Sequence, residues 1–263
     1  MNTMMDAGCF CGHWPYRKLR CNTLPQLSAL HKKVGIAGGL VSNLSSIFYN
    51  DPIEGDEELA AALCGTSYSL ACNVNPALQG SDIAVQRAIS RISPAALRLY
   101  PTIHKYALNT PAVNQIAVLA AEYNVPVILT ARLEDPRLDF LLCQSEPDIN
   151  AFLDCAARNP DTRFLLSAFY PYELQSLPQS LPKNLWVDLA GCFKPVFALE
   201  QLLTVIPVER VLYASFASLK TVQATLWGIL ECELSSDVRQ RITCLNYHDF
   251  LSASESAESF SNT

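Results

Sequence analysis

The chain has 263 residues, 50% of them hydrophobic, and a formal net charge of −6. That length and apolar content suit one sizeable core and exclude a disordered chain. An acidic balance with no basic run argues against nucleic acid, and no apolar stretch is long enough to span a bilayer.

The first residues carry no charged-then-apolar leader, which reads as a cytoplasmic protein. Ten cysteines are scattered along the chain with no C-x-x-C pair, so they read as reduced thiols packed as small hydrophobes, and no cofactor is expected. The first strand is expected over 4–10 and runs into Gly12-His13-Trp14-Pro15. Cys9, Cys11 and His13 fall on one parity, which could grip a soft metal; Asp6, Gly8 and Phe10 fall on the other.

A helix is expected over 24–34, then a glycine-rich apolar strand over 35–42. A short helix over 57–64 precedes a third strand over 68–76 that a proline closes. Ser81 is placed to cap a helix reaching residue 92. The fourth strand covers 96–101, and Pro111 opens a helix to residue 123. The fifth strand covers 125–132, and Pro147 opens a helix to residue 158. The sixth and seventh strands cover 162–169 and 184–190, and a helix starts at Pro195. The eighth strand covers 210–216, with helices expected over 219–232 and 235–245 and a frayed tail from Ser252. Eight buried strands alternating with helices predict parallel pairing with right-handed crossovers and a single (β/α)₈ TIM barrel over 1–250, with a flexible tail over 251–263. An open doubly wound sheet is the rival, but the first strand-to-helix turn has no glycine phosphate fingerprint.

With that pattern in place, the chain resembles the amidohydrolase-related, metal-dependent hydrolases of the TIM-barrel class, from Asp6 to about Phe250. The marks are Gly12-His13-Trp14-Pro15, Glu54-Gly55-Asp56-Glu57-Glu58-Leu59, Arg98-Leu99-Tyr100-Pro101, Arg132-Leu133-Glu134-Asp135 and Arg210-Val211-Leu212-Tyr213. Such enzymes hold one or two divalent metals at the C-terminal mouth of the barrel, where the metal activates a water. The resemblance places metal ligands at Gly8 and Phe10, at Thr130, at Ser167 or Ala168, and at Phe216, where the family has its strand-eight aspartate. These residues supply at most a weak neutral oxygen, where a catalytic zinc wants about three strong ligands. The expectation is therefore a pseudoenzyme without metal, in which Phe10 and Phe216 fill the metal volume with apolar rings. The family register also turns Cys9 and Cys11 outward, towards the helices.

Two guanidinium groups are expected at the mouth, Arg98 beside Tyr100 and Arg132 beside Thr130. They either pair with Asp6, Asp188 or Glu134 or form a site for a small anion, to which Asn73, Asn75 and Ser215 add neutral hydrogen bonds. Asp6 and His104 are the candidate catalytic acid-base groups; His31 and His248 read as structural or exposed. The main reading is a hydrolase-like protein retaining a small-anion pocket, with a second copy of the chain as a further partner. The alternative is a metal-independent hydrolase or lactonase acting on a small carboxylated substrate.

Overall fold

The computed structural model describes residues 4–138, 141–178, 180–192 and 198–252. Eight parallel strands follow one another in sequence order: β1 (Met4–Cys11), β2 (Ile36–Asn43), β3 (Tyr68–Val74), β4 (Ala96–Leu99), β5 (Val127–Thr130), β6 (Phe164–Ser167), β7 (Leu185–Asp188) and β8 (Val211–Leu212). The Ala7 N–H reaches the Tyr213 carbonyl at 2.9 Å and the Phe216 N–H reaches the Gly8 carbonyl at 2.8 Å, which brings the last strand onto the first. The fold is the expected (β/α)₈ barrel. Its helices are α1 (Leu24–Lys33), α2 (Pro52–Leu63), α3 (Ser81–Ile92), α4 (Pro101–His104), α5 (Pro111–Glu122), α6 (Ile149–Arg158), α7 (Pro171–Gln175), α8 (Ala198–Leu203), α9 (Val222–Leu230), α10 (Ser236–Gln240) and α11 (Asn246–Ser252). None of the helices among the described residues is long and apolar enough to cross a membrane.

The strands alternate between two apolar layers. Cys9, Val41, Cys72, Leu97, Leu129 and Leu166 point outward and pack under the helices. Ala71, Ala96, Ile128, Leu165, Leu212 and Ala214 fill the barrel itself. Phe250 of α11 packs at 5.5 Å against Trp186 inside β7 and closes the N-terminal end of the barrel.

Several element ends differ from expectation, each for a local reason. α2 begins at Pro52, because the Asp51 side chain accepts from the Ile53 N–H and proline suits the first turn. Ser81 does not cap α3; Gly80, at φ 75°, holds the N-cap position and Ser81 is the first helical residue. α6 starts two residues after Pro147, where Asp148 accepts from the Asn150 N–H at 3.0 Å. The last helix runs past its expected end through a π turn over Arg241–Leu245 into α11, and Asn246 docks it by donating to the carbonyls of Val208 and Val211. β8 is short because the Tyr213 N–H turns to the Ile242 carbonyl and Phe216 takes φ 57°, outside the extended region. The helix start expected at Pro195 and most of the tail lie outside the described residues.

Candidate functional site

The inward positions at the ends of β4 to β7 are polar. Arg98, Thr130, Ser167 and Asp188 are all fully buried. Thr130 pairs in register with Ser167, and Leu166 with Val187, so Thr130, Ser167 and Asp188 form a row across three strands. Arg98 starts lower on β4 and carries its guanidinium towards β1. Its Nη2 lies 3.3 Å from the point a Cβ would occupy on Gly8, and its Cζ lies 5.0 Å from the centre of the Phe10 ring. Nη2 makes one long hydrogen bond, 3.4 Å to the Ala7 carbonyl. Nε and Nη1 have no hydrogen-bond partner among the described residues, nor has Thr130 Oγ1, whereas the Ser167 hydroxyl and the Asp188 carboxylate face each other. Each unpartnered buried atom costs about 1–3 kcal/mol, so a cluster of them marks a place where a polar ligand would be stabilised.

Asp188 is held by Oδ1, which accepts the N–H groups of Ala168 and Ala190, both at 3.0 Å. Burial pushes its pKa up; the Ser167 side chain, the two N–H groups and the charge of Arg98 act against that rise. Phe10 and Phe216 meet edge to face at 4.8 Å, as the sequence reading expected of two apolar rings sharing that volume. Lys220 Nζ lies 4.9 Å from the centre of the Phe216 ring and donates to the Ala190 carbonyl at 2.9 Å. Burial first, and the charge of Arg132 after it, lower its pKa to about 8 against the pull of Asp188 and Glu134.

Arg132 does not join Arg98. Its guanidinium forks onto Glu173 of α7 with two contacts of 2.7 Å, donates to the Ala168 carbonyl at 3.0 Å and stacks 4.1 Å from the Tyr170 ring centre. Glu173 was not among its expected partners. Glu134 instead accepts from Trp14 Nε1 at 2.7 Å and Arg17 Nε at 2.8 Å.

Asp6 lies on the opposite face from the one its parity predicts. Asp6 pairs with Gly39 and Cys9 with Val41, so three residues of β1 span two of β2. This bulge inverts the alternation, leaving Phe10 inward but turning Asp6 outward with Cys9. There its carboxylate accepts from the N–H and hydroxyl of Ser215 and sits 3.3 Å from His31 Nε2. Asp6 and Ser215 therefore lie outside the barrel interior, and His31, expected to be structural or exposed, is buried. Asn73 is tied at the end of β3 by Asp56, Ser46 and the Tyr100 hydroxyl, which donates to it at 2.7 Å. Asn75 is spent on the turn that follows, accepting from the Ala77 N–H. His104 turns its Nε2 to the Ile47 carbonyl at 2.8 Å, and burial lowers its pKa, so it is a neutral contact between loops. Lys220 and Glu173 carried no signal in the sequence, since neither stands on a strand.

No family model matches the chain and no curated protein matches it in sequence. Solved structures do. A 2,6-dihydroxybenzoate decarboxylase from Rhizobium is 12% identical, with a TM-score of 0.71 over 95% of this chain and 99% of its own. The 5-carboxyvanillate decarboxylase of Sphingomonas paucimobilis is also 12% identical, with a TM-score of 0.76 over the same shares. An amidohydrolase from Bifidobacterium longum subsp. infantis is 14% identical, with a TM-score of 0.64 over 95% of this chain and 99% of its own. The likeness shows the fold.

Proposed function

We propose that this chain is an amidohydrolase-related barrel that has lost metal-dependent hydrolysis and binds a small carboxylate, or a similar anion, through Arg98. One observation carries the reading: a guanidinium lies over Gly8, where the family resemblance places a metal-binding histidine. Gly8, Phe10 and Phe216 bring no donor atom, and a fixed positive charge repels a divalent cation, so these residues do not fit a metal. The same charge suits an anion, and Nε and Nη1 have donors to spare. Phe10 and Phe216 offer an apolar wall for the body of the ligand, with Thr130 and Ser167 as neutral donors. The names of two structural neighbours describe decarboxylases of aromatic acids, which makes benzoate-type carboxylates the first to try. A charge-assisted contact contributes about 1.5–3 kcal/mol, so tight binding needs the ligand body buried as well.

Thermal shift and calorimetry against benzoates, dicarboxylates and phosphate provide the test. At least one anion should stabilise the wild-type protein, and Arg98→Met should weaken its binding tenfold or more. Hydrolysis and decarboxylation should stay at background with added zinc or manganese. Metal-dependent turnover, or no response to any anion, sinks the reading.

The alternative of a metal-independent hydrolase or lactonase has one observation behind it. Asp188 is a buried carboxylate in the same interior, beside Ser167, and burial raises its pKa above the usual carboxylate value. Turnover of a carboxylated lactone that disappears in Asp188→Asn would favour it.

A further inference from the structure

We propose that Asp6, Cys9 and His31 form a buried site for one zinc ion between β1 and α1, on the helix side of the barrel. Their donor atoms, a carboxylate oxygen, Cys9 Sγ and an imidazole nitrogen, all lie within 4.8 Å of one another, and the three residues are completely buried. A tetrahedral zinc holds its donors about 3.3–3.8 Å apart. Asp6 and His31 already stand at 3.3 Å, so what remains is for Cys9 Sγ, within 4.8 Å of both, to draw in.

The trio exists because of the bulge in β1. Regular alternation would send Asp6 and Cys9, three residues apart, to opposite faces, whereas the bulge puts both under α1. The surrounding groups orient each donor as outer-shell partners of a metal site do. Tyr68 Oη lies 3.0 Å from His31 Nδ1 and fixes the ring with Nε2 turned to the trio; with Nδ1–H donating to Tyr68, the lone pair of Nε2 is available to a metal. His31 Nε2 makes no hydrogen bond of normal geometry among the described residues. Gly8 and Ser215 fix the Asp6 carboxylate through their N–H groups at 3.0 and 2.9 Å. Cys9 Sγ lies 3.2 Å from the Leu40 carbonyl, a neutral oxygen available beside the trio.

The charges balance. A carboxylate, a thiolate and a neutral imidazole carry −2 together and cancel a +2 ion, which removes much of the cost of burying it. Binding forms a zinc–sulfur bond and releases the thiol proton to solvent, with no change of oxidation state. The site lies on the helix side of β1 and Arg98 on the interior side, so failure of the zinc site leaves the anion reading untouched.

The experiment uses the full chain, refolded with one equivalent of zinc or cobalt and then desalted. The wild-type protein should retain about one ion, and the cobalt form should show a thiolate-to-cobalt absorption band in the near ultraviolet. Cys9→Ser should lose that band, and His31→Gln should bind at least tenfold more weakly, while Cys64→Ser, at an exposed thiol, should match the wild type. If Cys9→Ser or His31→Gln does not fold, X-ray absorption at the zinc edge of the wild-type protein decides. One sulfur at about 2.3 Å with nitrogen or oxygen neighbours at about 2.0 Å supports the site. A protein that retains less than a tenth of an ion, or full retention of metal by Cys9→Ser, overturns it. Bound zinc with no sulfur neighbour also overturns it, and would count against the anion reading as well.

Discussion

Asp56 of α2 is completely buried. It accepts hydrogen bonds from Ser46 Oγ at 2.6 Å and from the Asn73 N–H at 2.5 Å. Through Asn73 it supports Tyr100, and so the rim of the interior next to Arg98. Burial raises its pKa from 3.8 to about 7, more than these hydrogen bonds lower it. Between those two values the folded chain keeps a proton that the unfolded chain has released, so stability falls as pH rises from about 4 to about 7. The raised pKa of Asp188 acts in the same direction. His104 acts in the opposite one: burial lowers its pKa from 6.5, so the unfolded chain binds the extra proton and stability rises with pH there. Comparison of wild type with Asp56→Asn isolates the first effect. Urea unfolding at pH 4.5, 6 and 7.5 should show the wild type losing stability relative to Asp56→Asn across the series. A constant difference between the two would refute a titrating Asp56.

At the scale of elements, the bulge in β1 decides which side chains meet, and it needs Gly39. A Cβ on Gly39 would stand 2.2 Å from the Asp6 carbonyl oxygen, so the two strands approach too closely for any side chain there. Gly39→Ala should destabilise the barrel by about 1–3 kcal/mol or more through forced strand separation, read as a fall in the urea midpoint. Because it moves Asp6, it should also disturb the contact with His31; an unchanged midpoint would mean that the bulge is not fixed by this approach. The expected run 35–42 gave the strand and its glycine content, but not the partner across from each glycine. The same limit explains the boundaries. β5 to β8 were each expected several residues too long, because apolar runs continue past the point where pairing stops. β6 ends at Ser167, since Ala168 takes φ 62° with its N–H bound to Asp188 and its carbonyl to Arg132. These are contacts with distant residues, on β7 and just after β5, and no window of local sequence contains them. Inward positions followed from parity wherever the strand was regular, as at Arg98 and Thr130. Parity failed at Asp6, on the N-terminal side of the bulge, and at Arg132, past the end of β5, which turns to Glu173.

At the scale of the molecule, loops from both ends of the chain close the barrel mouth. Trp14 after β1 is 2% exposed and packs edge-on against Tyr16 at 5.1 Å, with Phe48 at 5.7 Å. Its indole N–H donates to Glu134 after β5, and Arg17 bridges Glu134 to the Leu219 carbonyl after β8. Arg98 is fully buried, so an anion of the kind proposed would reach it only when some part of the structure moves. The Glu134 carboxylate is the common joint of three loops. Glu134→Ala leaves the buried Trp14 N–H without its acceptor, at a cost of about 1–3 kcal/mol, while the charge of Arg17, 38% exposed, adds little because water screens it. The β1 loop should therefore open more often with the barrel intact. Hydrogen exchange over 12–20 should quicken without change in β3 to β6, and Trp14 emission should shift to the red when compared in a Trp227→Phe background, since Trp227 is the exposed indole. If this cover is the gate, association of a bound carboxylate in stopped flow should speed up in Glu134→Ala, whereas Arg98→Met weakens the binding itself, tenfold or more. Faster exchange with an unchanged association rate would mean that the ligand enters elsewhere.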